Sequence, residues 1–98
     1  MAAYVIVSAT FNNIEQAYPY FRKSNALIYK YGGEILSKTS DITVLNGRYD
    51  YQRAVILRFP TKEDVLACFN SDEYRSVVRL CPADAIVNQI LVPDYTGE

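Results

Sequence analysis

Any chemistry this chain performs would depend on Arg58, tyrosines, and Asp84 or Asp50, because it contains no histidine. Without an imidazole, the usual general base near neutral pH and the commonest metal ligand are both missing. A Ser-His or Cys-His nucleophile cannot be assembled in one chain or in a homodimer of it. Cys68 and Cys81 have no spacing that suits zinc, so no metal is expected. Milder chemistry is left. A tyrosine hydroxyl can donate a proton to a developing enolate, and a guanidinium can stabilise its charge. Nine tyrosines and four phenylalanines, densest at Tyr18, Tyr20, Tyr29, Tyr31, Tyr49 and Tyr51, favour an aromatic-lined cleft between helix and sheet. Such a cleft suits a flat apolar molecule with a few polar handles. Most of these tyrosines are nonetheless expected to be packing or half-exposed surface.

The elements that position these groups belong to a single domain of 98 residues, read as residues 1–93 with 94–98 as a loose tail. Half of the residues are hydrophobic, more than so small a core can hide, and a second subunit is the expected cover. Ten basic and eleven acidic residues leave a net charge of −1. No basic block is present, which argues against nucleic acid. No apolar run approaches the roughly 18 residues of a membrane span. Met1-Ala2-Ala3-Tyr4 has no charged, cleavable leader, so a cytoplasmic protein with reduced thiols is expected. Cys68, among Leu66, Ala67 and Phe69, reads as a core residue. Cys81 precedes Pro82 at a helix end, and no neighbouring base would activate it.

Tyr4 to Ala9 is β-branched and aromatic and predicts a strand. Asn12 or Asn13 can cap the helix that follows. Ile14, Ala17, Tyr18, Phe21, Ile28 and Tyr31 recur at helical spacing, predicting a helix over 14–31. Pro19 either sits in its first turn or bends it, and Gly32-Gly33 ends it. A long strand is expected from Glu34 to Leu45, then a hairpin turn at Asn46-Gly47 and a return strand from Gln52 to Phe59. Thr61 and Asp64 form a capping box for a helix over 62–69. Ser71 caps another, with Asp72 and Glu73 in its first turn. Ala85 to Val92 is the last strand.

The order is β-α-β-β-α-β with the second helix broken: an α+β, ferredoxin-like fold with a four-stranded antiparallel sheet and helices on one face. Side-chain parity puts Val5, Val7, Ala9, Val55, Leu57 and Phe59 under the helices. Tyr4, Ile6, Ser8, Ala54, Ile56 and Arg58 then point away, and the last strand is apolar on both faces. A free sheet face would alternate with polar residues. Covering it with the same face of a second copy gives a dimeric α+β barrel. Arg58 on that face needs a partner: Asp84, Asp41 or Glu34 of either subunit, or an anionic or carbonyl-bearing ligand.

Several short segments, taken in order, resemble the small bacterial family DUF1330 of the dimeric α+β-barrel superfamily. They are Tyr4-Val5-Ile6, Tyr18 with Phe21-Arg22, Tyr31-Gly32-Gly33, Val44-Leu45-x-Gly47, Arg53, Phe59-Pro60-Thr61 and Ser71-x-Glu73-Tyr74. The resemblance implies a ferredoxin-like protomer, a homodimer and no bound cofactor, and it implies no assigned activity. Relatives often carry an acidic residue at the position of Ser8, a glutamate at that of Arg58 and a tryptophan at that of Tyr49. A barrel interior changed from acidic to basic would follow.

Arg58, Ser8, Tyr4, Tyr18, Tyr49 and Asp84 are therefore the candidate ligand-binding residues, and no catalytic residue is assigned. Three functions fit. The first is an accessory or tailoring protein that holds an aromatic or apolar intermediate of secondary metabolism, such as pigment or antibiotic assembly, alone or beside a partner enzyme. The second is a cofactor-independent monooxygenase, cyclase or condensation-type enzyme on the same scaffold. The third is a structural or stress-related dimer without a specific ligand.

Overall fold

The computed structural model describes residues 1–97. Its order is β1 (Ala3–Thr10), a 3₁₀ turn (Ile14–Ala17), α1 (Tyr18–Lys30), β2 (Glu34–Thr39), β3 (Arg53–Phe59), α2 (Lys62–Phe69), α3 (Asp72–Val78) and β4 (Ile86–Pro93). The strands form one antiparallel sheet ordered β2-β3-β1-β4. The expected ferredoxin-like α+β fold is thus present, with the second helix divided between α2 and α3. Among the described residues, no helix is long and apolar enough to cross a membrane.

All three helices pack on one face of the sheet. The core lies between, built from Ala3, Val5 and Ala9 of β1, Leu57 and Phe59 of β3, and Leu27, Ile28, Val65, Cys68 and Val77 of the helices. The parity read from the sequence is the parity observed. With a single helix layer, the Cα envelope is a plate 39 × 38 × 16 Å. Cys68 is fully buried, and burial, followed by the nearby Glu73 charge, pushes its thiol up to about 11. It is a packing residue, as expected.

The helix boundaries follow from their caps. Asn13 accepts from the Glu15 amide at the 3₁₀ turn. Pro19 lies in the first turn of α1, where its missing N–H is no loss. The helix expected over 14–31 is thereby split, with 14–17 wound as 3₁₀. Thr61 accepts from the Asp64 amide at 3.1 Å. Ser71 accepts from the Tyr74 amide at 3.0 Å and donates to the Cys68 carbonyl at 2.7 Å. Lys30 pairs with Glu73 at 2.6 Å and ties α1 to α3.

Gly32 and Gly33 end α1 as a Schellman motif. Gly32 has φ +85°, its amide donates to the Tyr29 carbonyl, and the Gly33 amide donates to the Ile28 carbonyl. A Cβ on Gly33 would stand 2.7 Å from Ile28 Cγ2 and 2.8 Å from the Phe59 ring. Both neighbours are core residues with nowhere to move. Gly33→Ala is therefore expected to lose about 1–3 kcal/mol through overpacking. Urea titration reads this as a lower midpoint at unchanged slope; an unchanged midpoint would refute it.

One expectation is corrected. β2 ends at Thr39 rather than Leu45, so β2 and β3 pair antiparallel as expected but are joined by a long loop over 40–52 rather than a tight turn at Asn46-Gly47. The Asp41 amide turns back onto Thr39 Oγ1 at 2.9 Å. The Gln52 amide donates to the Ala9 carbonyl at 3.1 Å. The returning chain thus meets β1 just before β3 begins, while β3 pairs with β1 on one edge and β2 on the other. Gly47 still takes the positive φ, +79°, that its turn requires. β2 carries a bulge between Ile35 and Ser37.

Candidate functional site

The candidate residues divide between two faces. On the face without helices, β1 is the central reference. Its Tyr4 stands between Arg58 and Val92, its Ile6 between Ile56 and Ile90, and its Ser8 between Ala54 and Asn88. Arg58 pairs across the sheet with Glu34 at 3.4 Å, both half-exposed. Of the three carboxylates considered for it, Glu34 is the one the register supplies. The Tyr49 hydroxyl lies 2.9 Å from Ser8 Oγ and 3.0 Å from the Arg53 carbonyl. A carbonyl can only accept, so the phenol donates there and Ser8 supplies the other proton.

The structure therefore brings Tyr4 to Arg58 and Ser8 to Tyr49, but as two groups about 13 Å apart along β1. The row between them is Ile6, Ile56 and Ile90, exposed at 36%, 38% and 49%. Asp84 and Tyr18 join neither group. Asp84 precedes β4 at the end of the sheet opposite Arg58 and accepts from Asn12 Nδ2 at 3.1 Å. Tyr18 opens α1 in the helix layer, beside Phe21. This face offers an apolar strip with polar ends.

Concave features lie on the helix side: a space of about 200 Å³ between α2 and the sheet, lined by apolar residues and Gln89, and a cleft with more polar groups beneath α1. This cleft, of about 60 Å³, opens between α1 and the sheet. Its apolar walls include Val7, Phe21, Val55 and Val87, and its polar lining is Tyr20, Ser24, Asn25, Lys38, Arg53 and Gln89. Phe11 meets Phe21 edge to face at 5.1 Å. Two buried tyrosines, Tyr20 and Tyr74, back the cleft. Gln89 Nε2 donates to the Tyr74 hydroxyl at 3.0 Å, and the Tyr20 phenol lies close enough to Tyr74 to feel it electrostatically. Burial, reinforced by Tyr74, drives the Tyr20 phenol far above its ordinary range. Burial likewise raises Tyr74. These phenols can offer a hydrogen bond but not act as bases.

At the open side of the cleft, Lys38 Nζ lies 4.8 Å from the Phe21 ring centre and Arg53 Cζ 5.9 Å from it. Neither cation was identified from the sequence. The available signal was parity: on the shortened β2, Lys38 pairs with Val55 and so faces the helices. The longer strand expected from Glu34 to Leu45 gave that position no special place. Among the described residues, no cluster of cysteines and carboxylates could hold a metal.

Comparison with solved structures shows the fold. A protein of unknown function from Rhodopseudomonas palustris is 15% identical with a TM-score of 0.65, covering 91% of this chain and 80% of that one. SnoaB, a cofactor-independent oxygenase from Streptomyces nogalater, is 10% identical with a TM-score of 0.66, covering 97% and 94%. A dimeric ferredoxin-like protein of unknown function from Thermobifida fusca is 15% identical with a TM-score of 0.58, covering 94% and 92%. At these identities each is a likeness of architecture alone. No curated protein matches the chain in sequence. The family model described as "Domain of unknown function (DUF1330)" matches residues 2–95, and the chain belongs to that family.

Proposed function

We propose that this protein is a homodimer that binds a small, largely apolar molecule in the cleft between α1 and the sheet. Its role would be that of an accessory or tailoring protein holding an intermediate of secondary metabolism. The cleft carries the reading. A domain this small normally closes its core, yet here Phe21, Val55 and Val87 stand half-buried around a space with a few convergent polar groups. Its size favours a ligand of one ring or a short branched chain over a polycyclic one, since sites for drug-sized ligands measure about 300–1,000 Å³.

Dimerisation is supported by the row of exposed isoleucines on the bare sheet face. The dimeric likeness from Thermobifida fusca agrees with it. The second reading, a cofactor-independent enzyme, draws on the likeness to SnoaB. The cleft itself favours binding over turnover. Its lining carries no carboxylate or thiol, and its Tyr20 phenol is held protonated by burial.

Two-dimensional NMR of the ¹⁵N-labelled protein with single-ring apolar fragments tests this. Amide shifts are expected at Phe21, Val55 and Val87 and not at Ile56 or Ile90, and Val87→Phe, which fills the cleft, should remove them. Shifts confined to the bare sheet face, or none at millimolar fragment, would overturn the proposal.

A further inference from the structure

Lys38 and Arg53 are diagonal neighbours on the helix-facing side of β2 and β3, since Lys38 pairs with Val55. Like charges so placed repel. Both side chains nevertheless turn to the same ring, Phe21, at the edge of the cleft. Cation–π attraction holds them there without neutralising them. Among the described residues, no carboxylate lies within ion-pair distance of either one. Lys30, Arg48, Arg58 and Arg75 each have such a partner. Arg22, Lys23, Lys62 and Arg79 lack one too and stand exposed, as Lys38 does, whereas Arg53 is half-buried; what sets Lys38 and Arg53 apart is that both line the cleft. Burial and then the Arg53 charge lower Lys38's hold on its proton, as a cation without an anion behaves.

Given the cleft-binding reading above, on which this rests, we propose that its ligand is an organic monoanion. A carboxylate would be gripped by Lys38 and Arg53 at the edge of the cleft, with a small apolar body between Phe21, Val55 and Val87. The guanidinium fork can take both carboxylate oxygens while the ammonium adds a point charge. The anion would relieve the repulsion between the two cations, so the site is built for a ligand it does not itself contain.

The test is a pair of matched probes, benzoate against benzamide and isovalerate against isovaleramide, titrated into the labelled protein. Each acid is expected to bind in the cleft at least about tenfold more tightly than its amide, since hydrogen bonds to charged groups contribute about 1.5–3 kcal/mol. In Lys38→Met with Arg53→Gln, that preference should vanish while amide binding persists. Thermal melting of the variant controls for folding, and relief of the repulsion predicts no loss. If acid and amide bind the cleft equally, the anion proposal falls and the cleft reading stands. If neither probe shifts any cleft amide, both fall. If the acids keep their advantage in the double variant, the charge is held elsewhere and the assignment to Lys38 and Arg53 is overturned.

Discussion

Ile56→Glu is expected to leave the protein monomeric, folded and competent in its cleft. Ile56 lies on β3, in register with Ile6 of β1 on the bare sheet face. In a two-fold dimer joined through that face, the substitution appears twice and places two carboxylates in one apolar layer. An unpaired buried charge costs several kcal/mol, and like charges facing each other add to it. The dissociation constant should rise by more than about 10³-fold, equivalent to roughly 4 kcal/mol. The same carboxylate stands in water in the free protomer, where surface changes usually stay within about 0.5 kcal/mol. Sedimentation equilibrium at micromolar concentration reads the outcome. A wild-type monomer, or a variant that remains a dimer with unchanged affinity, would remove the case for the barrel.

Phe59→Ala acts on the opposite face. Phe59 is fully buried, touches Phe69 edge to face at 6.3 Å and supplies the ring against which Gly33 is pressed. Its removal leaves a cavity between α1 and the sheet that the Schellman turn cannot close. The expected loss is about 3–5 kcal/mol, a large part of the roughly 5–15 kcal/mol that holds such a domain folded. Denaturant melts must compare equal protomer concentrations, since dimerisation itself stabilises. A loss below about 1 kcal/mol would mean that the core is not anchored where the packing places it.

The architecture was legible because local signals and parity agreed. Thr61 with Asp64, Ser71, and Gly32-Gly33 each marked a boundary with its own hydrogen bond, and the observed caps use those same atoms. Alternation along β1 and β3 assigned the two faces correctly, including the outward positions of Ser8 and Arg58. The two strands around Asn46-Gly47 were paired correctly, but the connection was drawn too tight, because Asn46-Gly47 announces a turn and not how far the flanking strands run. β2 stops early because the Asp41 amide turns back onto Thr39 Oγ1.

The site was less legible for a related reason. Arg58 drew attention as a charge on an apolar face, yet its register delivers Glu34 beside it. Lys38 and Arg53 looked ordinary, fifteen positions apart. They become unusual only once β2 and β3 pair and α1 lays Phe21 over both. Tyr49 and Ser8 were each singled out, but their hydrogen bond depends on a loop whose path no local signal sets.

The two borders of the sheet are not equally guarded. β2 is short, carries a bulge at Ile35–Ser37 and is followed by a turn at Asp41, all of which discourage another strand from joining it. β4 runs eight residues with a regular register to β1, and its guard comes only at the end, with Pro93. Any recruitment of a foreign extended segment should therefore start at β4 near Ile86 and grow in one direction. Any templated self-association would therefore be confined to that one margin, where Val87 and Gln89 also reach the cleft.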